Sequence, residues 1–369
     1  MKNKKIVIIG AGPIGCYLSR LLQQKGIFSL LIEEHQSLGR PLHCAGVVGK
    51  KVFSQAKITL SKESILNTLN GAYINLGKER MGIRREGVAY VIDREKFDEK
   101  MGQKLNIKFD TRFIGLEKKN GKYLIETDKG YFEADIVIGT DGARSLVRDL
   151  INKEKVDCLI GVQFRMKLDI KDKDMVEVFM KKPYFYWIIP EGNNIARVGT
   201  ISPNAYQNLL EFIQEKKLEG KVLNKFAGAV PLGYVDTLEK NNVILLGDSA
   251  SQIKPLTYGG VYMGMRAAEI LANCLVEGKI KQYPAIWSRY YGRELKVAHK
   301  IRNALYRISD SDLREIFLFI KKNKKIIEKK GDFENHLKII KELLVQPGLS
   351  KNLWGVFFRM AKNSFLGNH

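Results

Sequence analysis

Cysteine is scarce in this chain: four residues in 369, at positions 16, 44, 158 and 274, with no C-x-x-C pair and no cysteine–histidine cluster. That spacing excludes a zinc knuckle and a disulfide framework, so no metal site is expected and a cytoplasmic location is. Long apolar runs are missing as well, since no stretch of about 18 residues is apolar enough to span a bilayer. The N-terminal MKNKKIVIIGAGPIG sets lysines before apolar residues, as a signal peptide does. Glycines cut that run short, and a buried β-strand explains it better. Internal repeats and low-complexity linkers are absent. Acidic residues are in deficit, 40 against 62 basic ones, for a formal charge of +22. Such a surface suits nucleic acid, an anionic membrane or a phosphorylated substrate, and equally a lysine-rich proteome. No aromatic RNA-recognition motif accompanies the charge, so nucleic acid is not expected as a partner.

What is present is a globular composition, 45% hydrophobic, on a chain longer than one ordinary domain. An apolar strand over residues 5–9 leads into a helix ending near Gly26, then a strand, FSLLIEE, that closes on Glu33 and Glu34. VIDREKFDEKM reads as a strand end and a helix capped by Asp93. Alternation broken at Asn120-Gly121 and Lys129-Gly130 predicts a three-stranded meander. Between 156 and 235, the segments VEVFM, FYWIIP and IARVGT alternate as strands, with a helix near 203–217. NNVILLGDSA returns to a buried strand, a long helix follows, and from 285 onward the chain is helical, amphipathic and basic. The expected class is α/β, α+β overall. A Rossmann-type domain is expected from 1–60, 86–150 and 240–285, a mostly β domain from 61–85 and 151–239, and a helical C-terminal region from 286–369.

Gly10-x-Gly12-x-x-Gly15 stands between strand and helix. Gly10 permits a tight turn, Gly12 lets backbone approach a pyrophosphate, and Gly15 lets helix and strand pack closely. The helix start offers free N–H groups to phosphate, and Glu33 ends the second strand where an acid binds a ribose hydroxyl. NAD fits that unit as well as FAD. Further on, Asp141-Gly142 and Gly247-Asp248 each follow a buried strand, the latter with Gly259 and Gly260 beyond it. Asp248 is suited to accept from ribityl hydroxyls, and the glycine loop lets amides reach a flavin ring. Together the three motifs resemble the FAD proteins of the p-hydroxybenzoate hydroxylase structural class.

Two segments narrow the resemblance. GRPLHCAGVVG is similar to the loop of the geranylgeranyl reductase family in which a cysteine lies against the flavin. PYFYWIIP resembles that family's Y-x-W-x-F-P motif, which lines a lipid cavity. Phe185, Ile189 and Ile201 depart from the pattern, and the family's TGGG loop reads Thr257-Tyr258-Gly259-Gly260 here. The resemblance implies FAD contacts at Ile14, Glu33, Cys44, Ala45, Arg94, Asp248, Gly260 and Val261, and Arg40 is a further candidate cofactor contact. Arg94, at the head of its helix, is also suited in its own right to bind phosphate. Cys44 and His43 are the candidate catalytic residues, His43 as a proton relay. Tyr184, Phe185, Trp187, Pro190 and Tyr258 are the candidate substrate contacts, although aromatic residues in an apolar strand fit a plain core too.

The implied activity is reduction of C=C bonds in geranylgeranyl chains, the substrate being a prenyl lipid. NAD(P)H or a ferredoxin-like protein would serve as donor, since no second nucleotide fingerprint is present. Peripheral association with an anionic membrane is a further expectation. Leu353, Trp354, Phe357 and Phe358 recur at helical spacing beside Arg359 and Lys362, which suits a membrane surface or packing on the core. A flavin monooxygenase or halogenase of the same fold is the rival reading, and a non-catalytic flavin-dependent RNA- or membrane-binding protein ranks last.

Overall fold

The computed structural model describes residues 4–152, 155–182 and 184–346. The first sheet is built on Ile6–Ile9, whose four side chains are all buried. A strand apolar on both faces needs cover on both sides, which is how parallel sheets are made. Ile6–Ile9 pairs in parallel with Ser29–Ile32 on one side and Ile136–Gly139 on the other, Ile8 lying opposite Leu31 and Ile138. Val243–Leu245 and Ile107–Lys108 extend the parallel set, and Glu239–Lys240 closes one edge antiparallel. Helix Pro13–Gln23 packs on helices Val261–Val276 and Arg94–Gly102, so segments more than 240 residues apart in sequence meet beside the glycine turn. Asp93 caps its helix by accepting from the Lys96 amide at 3.2 Å. The meander forms three antiparallel strands, Phe113–Lys119, Lys122–Thr127 and Gly130–Ala134. Asn120 and Gly121 both take positive φ in its first turn, as a two-residue hairpin of this hand requires.

The second sheet has eight strands, ordered Lys221–Leu232, Asp157–Lys167, Ile195–Ile201, Tyr184–Gly192, Met175–Lys181, Ile65–Leu76, Glu79–Ile92 and Val47–Gly49. Side chains alternate between its faces. Tyr186, Ile188, Phe164 and Val198 form a core with Leu209 and Phe212 of helix Ala205–Glu215. The opposite face presents Phe185, Trp187 and Ile189 to a cavity walled by both sheets.

The stretch that the chain contributes to this sheet ahead of residue 151 is longer than 61–85. The hairpin runs from Ile65 to Ile92, and Val47–Gly49 adds an edge strand opposite Ala89–Val91. Register shifts near Ile65 and Leu69 break the hairpin's alternation, which is why its extent does not show in the pattern. Beyond Gly292 the described residues form the helices Arg293–Arg307, Asp310–Lys322, Lys324–Lys330 and His336–Leu344. The Leu353–Lys362 segment lies outside the described residues.

Candidate functional site

Gly10 leaves its strand at φ +97°, and a Cβ there would sit 2.5 Å from the Thr140 carbonyl oxygen, so only glycine fits the turn. Above Gly12 the space is open, with nothing within 4 Å of a built Cβ. No side chain caps the helix that starts at Pro13. Its positive end therefore faces the cavity, ready for an anion. Gly15 does not line the cavity but lies beneath the turn, against the Gly10 carbonyl. Glu33 is buried at the end of the second strand. One carboxylate oxygen accepts from the Ala11 amide at 2.7 Å, the other from the His35 amide at 3.1 Å and within 2.6 Å of His35 Nδ1. Glu33 thus ties the glycine turn to the strand it ends, while still lining the cavity.

Farther along, Arg94 faces the cavity with its guanidinium held bidentately by Asp98, at 3.2 Å through Nε and 2.8 Å through Nη2. Burial works against its charge, yet Asp98 and the Cys44 sulfur keep it firmly protonated. Asp98 was missed from sequence, although its position four residues after an arginine in a helix is the signal for such a pair. Asp248 follows the strand Val243–Leu245 and also lines the cavity. Burial raises its carboxyl pKa, with Arg94 pulling the other way. The backbone of Gly260 comes so close that a Cβ there would lie 2.7 Å from Asp248 Oδ1. Gly260 and Val261 open the long helix Val261–Val276, again without a side-chain cap. Asp141 serves its own helix instead, accepting from the Ser145 hydroxyl at 2.6 Å and the Val147 amide at 3.0 Å.

The loop through His43, Cys44 and Ala45 is fixed by a residue that sequence reasoning missed. Arg197 donates to the Ala45 carbonyl at 2.8 Å and the Ile92 carbonyl at 3.1 Å, and to Glu191 at 2.8 Å. Arg165 holds the other side of Glu191 at 2.6 Å. Burial alone would raise the Glu191 pKa, but the two guanidiniums overcome it and hold the carboxyl below its ordinary value. Gly46 passes so close to Arg197 that any Cβ would collide with it. An arginine inside an otherwise apolar strand, IARVGT, was the available sign. His43 is held below its ordinary pKa, first by loss of solvent and then by Arg94. Arg40 reaches the rim, but its side chain is 66% exposed and is engaged by Glu95 at 2.7 Å. That pairing leaves it poorly placed as a cofactor ligand.

The cavity measures about 1020 Å³ and continues from these polar groups into an apolar half lined by Leu69, Ile74, Val176, Phe185 and Trp187. Trp187 donates from Nε1 to Gln163 at 3.0 Å, and its ring lies on Gly199, where a Cβ would come within 2.5 Å of it. Phe185 stacks on Tyr258, centroids 6.1 Å apart and planes 12° apart. Tyr184 and Pro190 are corrected, because neither lines the cavity. Strand alternation turns their side chains away from the face that carries Phe185 and Trp187. Lys254, beside Gly259, and Glu334 form a buried pair at 2.8 Å that holds the loop before the helix His336–Leu344 against the cavity. Eighty residues separate the partners, and nothing in sequence links them.

The polar half fits a flavin dinucleotide. It offers an open floor at Gly12, two uncapped helix starts, an acid at each of two strand ends and a buried guanidinium. Among the described residues no group of histidine, cysteine and acidic side chains could hold a metal ion, and no helix is long and apolar enough to cross a membrane.

No family model matches the chain. It is 31% identical to uncharacterized protein MJ1520 of Methanocaldococcus jannaschii, covering 93% of this chain and 96% of that one. It is 27% identical to digeranylgeranylglycerophospholipid reductase 1 of Methanococcoides burtonii, over 86% and 87% of the two chains. Among solved structures, a geranylgeranyl bacteriochlorophyll reductase-like protein of Thermoplasma acidophilum superposes with a TM-score of 0.81 at 21% identity, over 96% of this chain and 99% of that one. The flavin-dependent halogenase CmlS superposes at 0.70 with 14% identity, over 98% and 77%, and shares the fold alone. Reductase-named relatives along most of the chain, a flavoprotein fold and the cavity it encloses agree on one assignment: the chain is similar to the geranylgeranyl reductases over most of its length and is a flavin-dependent oxidoreductase.

Proposed function

We propose that the flavin is FAD and that the protein saturates C=C bonds of geranylgeranyl chains carried by isoprenoid ether lipids or their precursors. The observation that carries this reading is the single cavity of about 1020 Å³ joining the glycine turn to the Phe185–Trp187 wall. Gly12 and the helix start at Pro13 would receive the pyrophosphate, Glu33 a ribose, Asp248 the ribityl hydroxyls, and the Cys44–Ala45 backbone the ring system. Bound there, reduced flavin supplies hydride chemistry. An isolated double bond has no carbonyl to polarise it, so the protein contributes orientation, dry walls and a proton. Phe185, Trp187 and Ile189 give a long apolar chain a wall free of competing polar groups, because the Trp187 N–H is already engaged. The electron donor in this reading is NAD(P)H bound transiently or a ferredoxin-like protein.

Anaerobically reduced enzyme given a geranylgeranyl ether lipid is expected to add two hydrogens per double bond as the flavin reoxidises. Mass spectrometry of the lipid under argon and under air checks this. A product heavier by one oxygen, or no reaction until air is admitted, would overturn it in favour of a monooxygenase.

A further inference from the structure

A polar chain runs into the apolar half of the cavity at Tyr258. The residue precedes the helix Val261–Val276 and its backbone sits in the left-handed region, φ 58°. A bulky side chain is uncommon there, and such strain persists only where surrounding contacts hold it. Those contacts are the stack on Phe185 and a hydrogen bond between the Tyr258 and Tyr306 hydroxyls at 2.8 Å. Arg302, one helical turn before Tyr306, donates from Nε to the Tyr306 hydroxyl at 2.9 Å. Its guanidinium lies 4.8 Å from the Tyr306 ring centroid and 5.7 Å from that of Tyr258. Arg302 is only 7% exposed.

Arg302 fixes one end of the chain, and either hydroxyl can donate to the other. A guanidinium has no lone pair to offer, so the Tyr306 oxygen accepts from Arg302. Each phenol carries one proton. With the Tyr306 proton given to the Tyr258 oxygen, the Tyr258 O–H is left to donate elsewhere, and Tyr258 lines the cavity beside Phe185.

We propose that Tyr258 is the general acid that protonates the alkene, with Tyr306 and Arg302 as positioning residues behind it. The proposal rests on the prenyl-reductase reading above. Saturation needs a hydride, drawn from the reduced flavin, at one carbon and a proton at the other. As the hydride arrives, the π pair of the double bond forms the new C–H bond at the second carbon and the Tyr258 O–H bond breaks. The phenolate is held by the nearby Arg302 charge, and its proton is replaced from Tyr306 and then from solvent. Burial keeps the phenol protonated until it is used, while Arg302 eases its release.

The test compares wild type with Tyr258→Phe, which keeps the stack on Phe185, and with Tyr306→Phe. Both variants should retain flavin and its visible spectrum. Saturation under argon should slow by about 100-fold or more in Tyr258→Phe and by roughly tenfold in Tyr306→Phe. A second readout needs no turnover: binding of geranylgeraniol epoxide against geranylgeraniol, by calorimetry. An oxygen that accepts from Tyr258 should favour the epoxide by about tenfold in wild type, and Tyr258→Phe should abolish that preference. Undiminished saturation by Tyr258→Phe, or an epoxide preference that survives it, overturns the proposal. Wild type that leaves the prenyl chain unsaturated overturns the reductase reading instead, and the epoxide comparison still decides whether Tyr258 donates into the cavity.

Discussion

Asp248 and Ser251 follow the same buried strand, yet they face different neighbours. Asp248 lines the cavity opposite Arg94, whereas the Ser251 hydroxyl donates to the Gly233 carbonyl at 2.7 Å. Asp248→Ala should therefore lose flavin on gel filtration, with affinity falling at least about tenfold, the scale of one hydrogen bond to a charged group. Ser251→Ala should cost about 1 kcal/mol of stability and keep its flavin. Equal flavin content in the two variants would remove Asp248 from the site. Sequence motifs identified Asp248 and Arg94 because strand ends and helix starts show in the pattern. Asp98 and Arg197 did not show as site residues, because what makes them matter is the partner each meets after folding. Arg197 reaches the Ala45 carbonyl 152 residues away.

Alternation made the strand Tyr184–Gly192 legible, and it also decides which of its residues touch a ligand. Reading the motif as a block included Tyr184 and Pro190, while the period of two selects Phe185, Trp187 and Ile189. The neighbouring strand completes the wall through Gly199, on which the Trp187 ring lies. Gly199→Ala should push that ring into the cavity, costing about 1–3 kcal/mol of stability. Prenyl-chain affinity should fall with flavin content unchanged, and a shift in tryptophan fluorescence should report the displaced ring. Unchanged chain affinity would show that the indole does not wall the substrate. The C-terminal helices carry a pH dependence of their own. His299 and His336 are both held down to about 4, by burial first, with Arg302 and Lys254 adding to it respectively. Between about pH 6.5 and 4 the unfolded chain takes up protons that the folded one refuses, so stability is full above this window and falls through it on acidification. Each unit is worth about 1.4 kcal/mol. Thermal melts followed by circular dichroism should drop across that range, and His336→Gln should flatten the drop.

At the scale of the whole molecule, two of the returns to the first sheet, Ile136–Gly139 and Val243–Leu245, were legible, because each is an apolar strand that runs into a glycine. How far the chain stays in the second sheet was not, since Val47–Gly49 is too short to alternate and the long hairpin carries bulges. The charge of +22 is a property of the same scale and finds no single site. Many basic side chains are engaged: Lys254 by Glu334, Arg94 by Asp98, Arg314 and Lys321 together by Glu79. What acts over distance is the excess, and it is screened beyond about 8 Å at physiological ionic strength. A prenyl-lipid substrate resides in membranes whose anionic head groups would attract such a surface. Exposed Leu146 and Leu150, one helical turn apart, offer apolar contact beside Arg144 at the cavity edge. The protein should then sediment with anionic vesicles at low salt, release as salt rises, and ignore neutral vesicles at any salt. Leu146→Ser with Leu150→Ser should weaken the bound state while leaving its salt dependence in place, because charge steers and apolar contact anchors. Binding that is equal for anionic and neutral vesicles would assign the contact to apolar surface alone. No binding to either would make the charge a feature of composition, with the lipid delivered to the enzyme by another route.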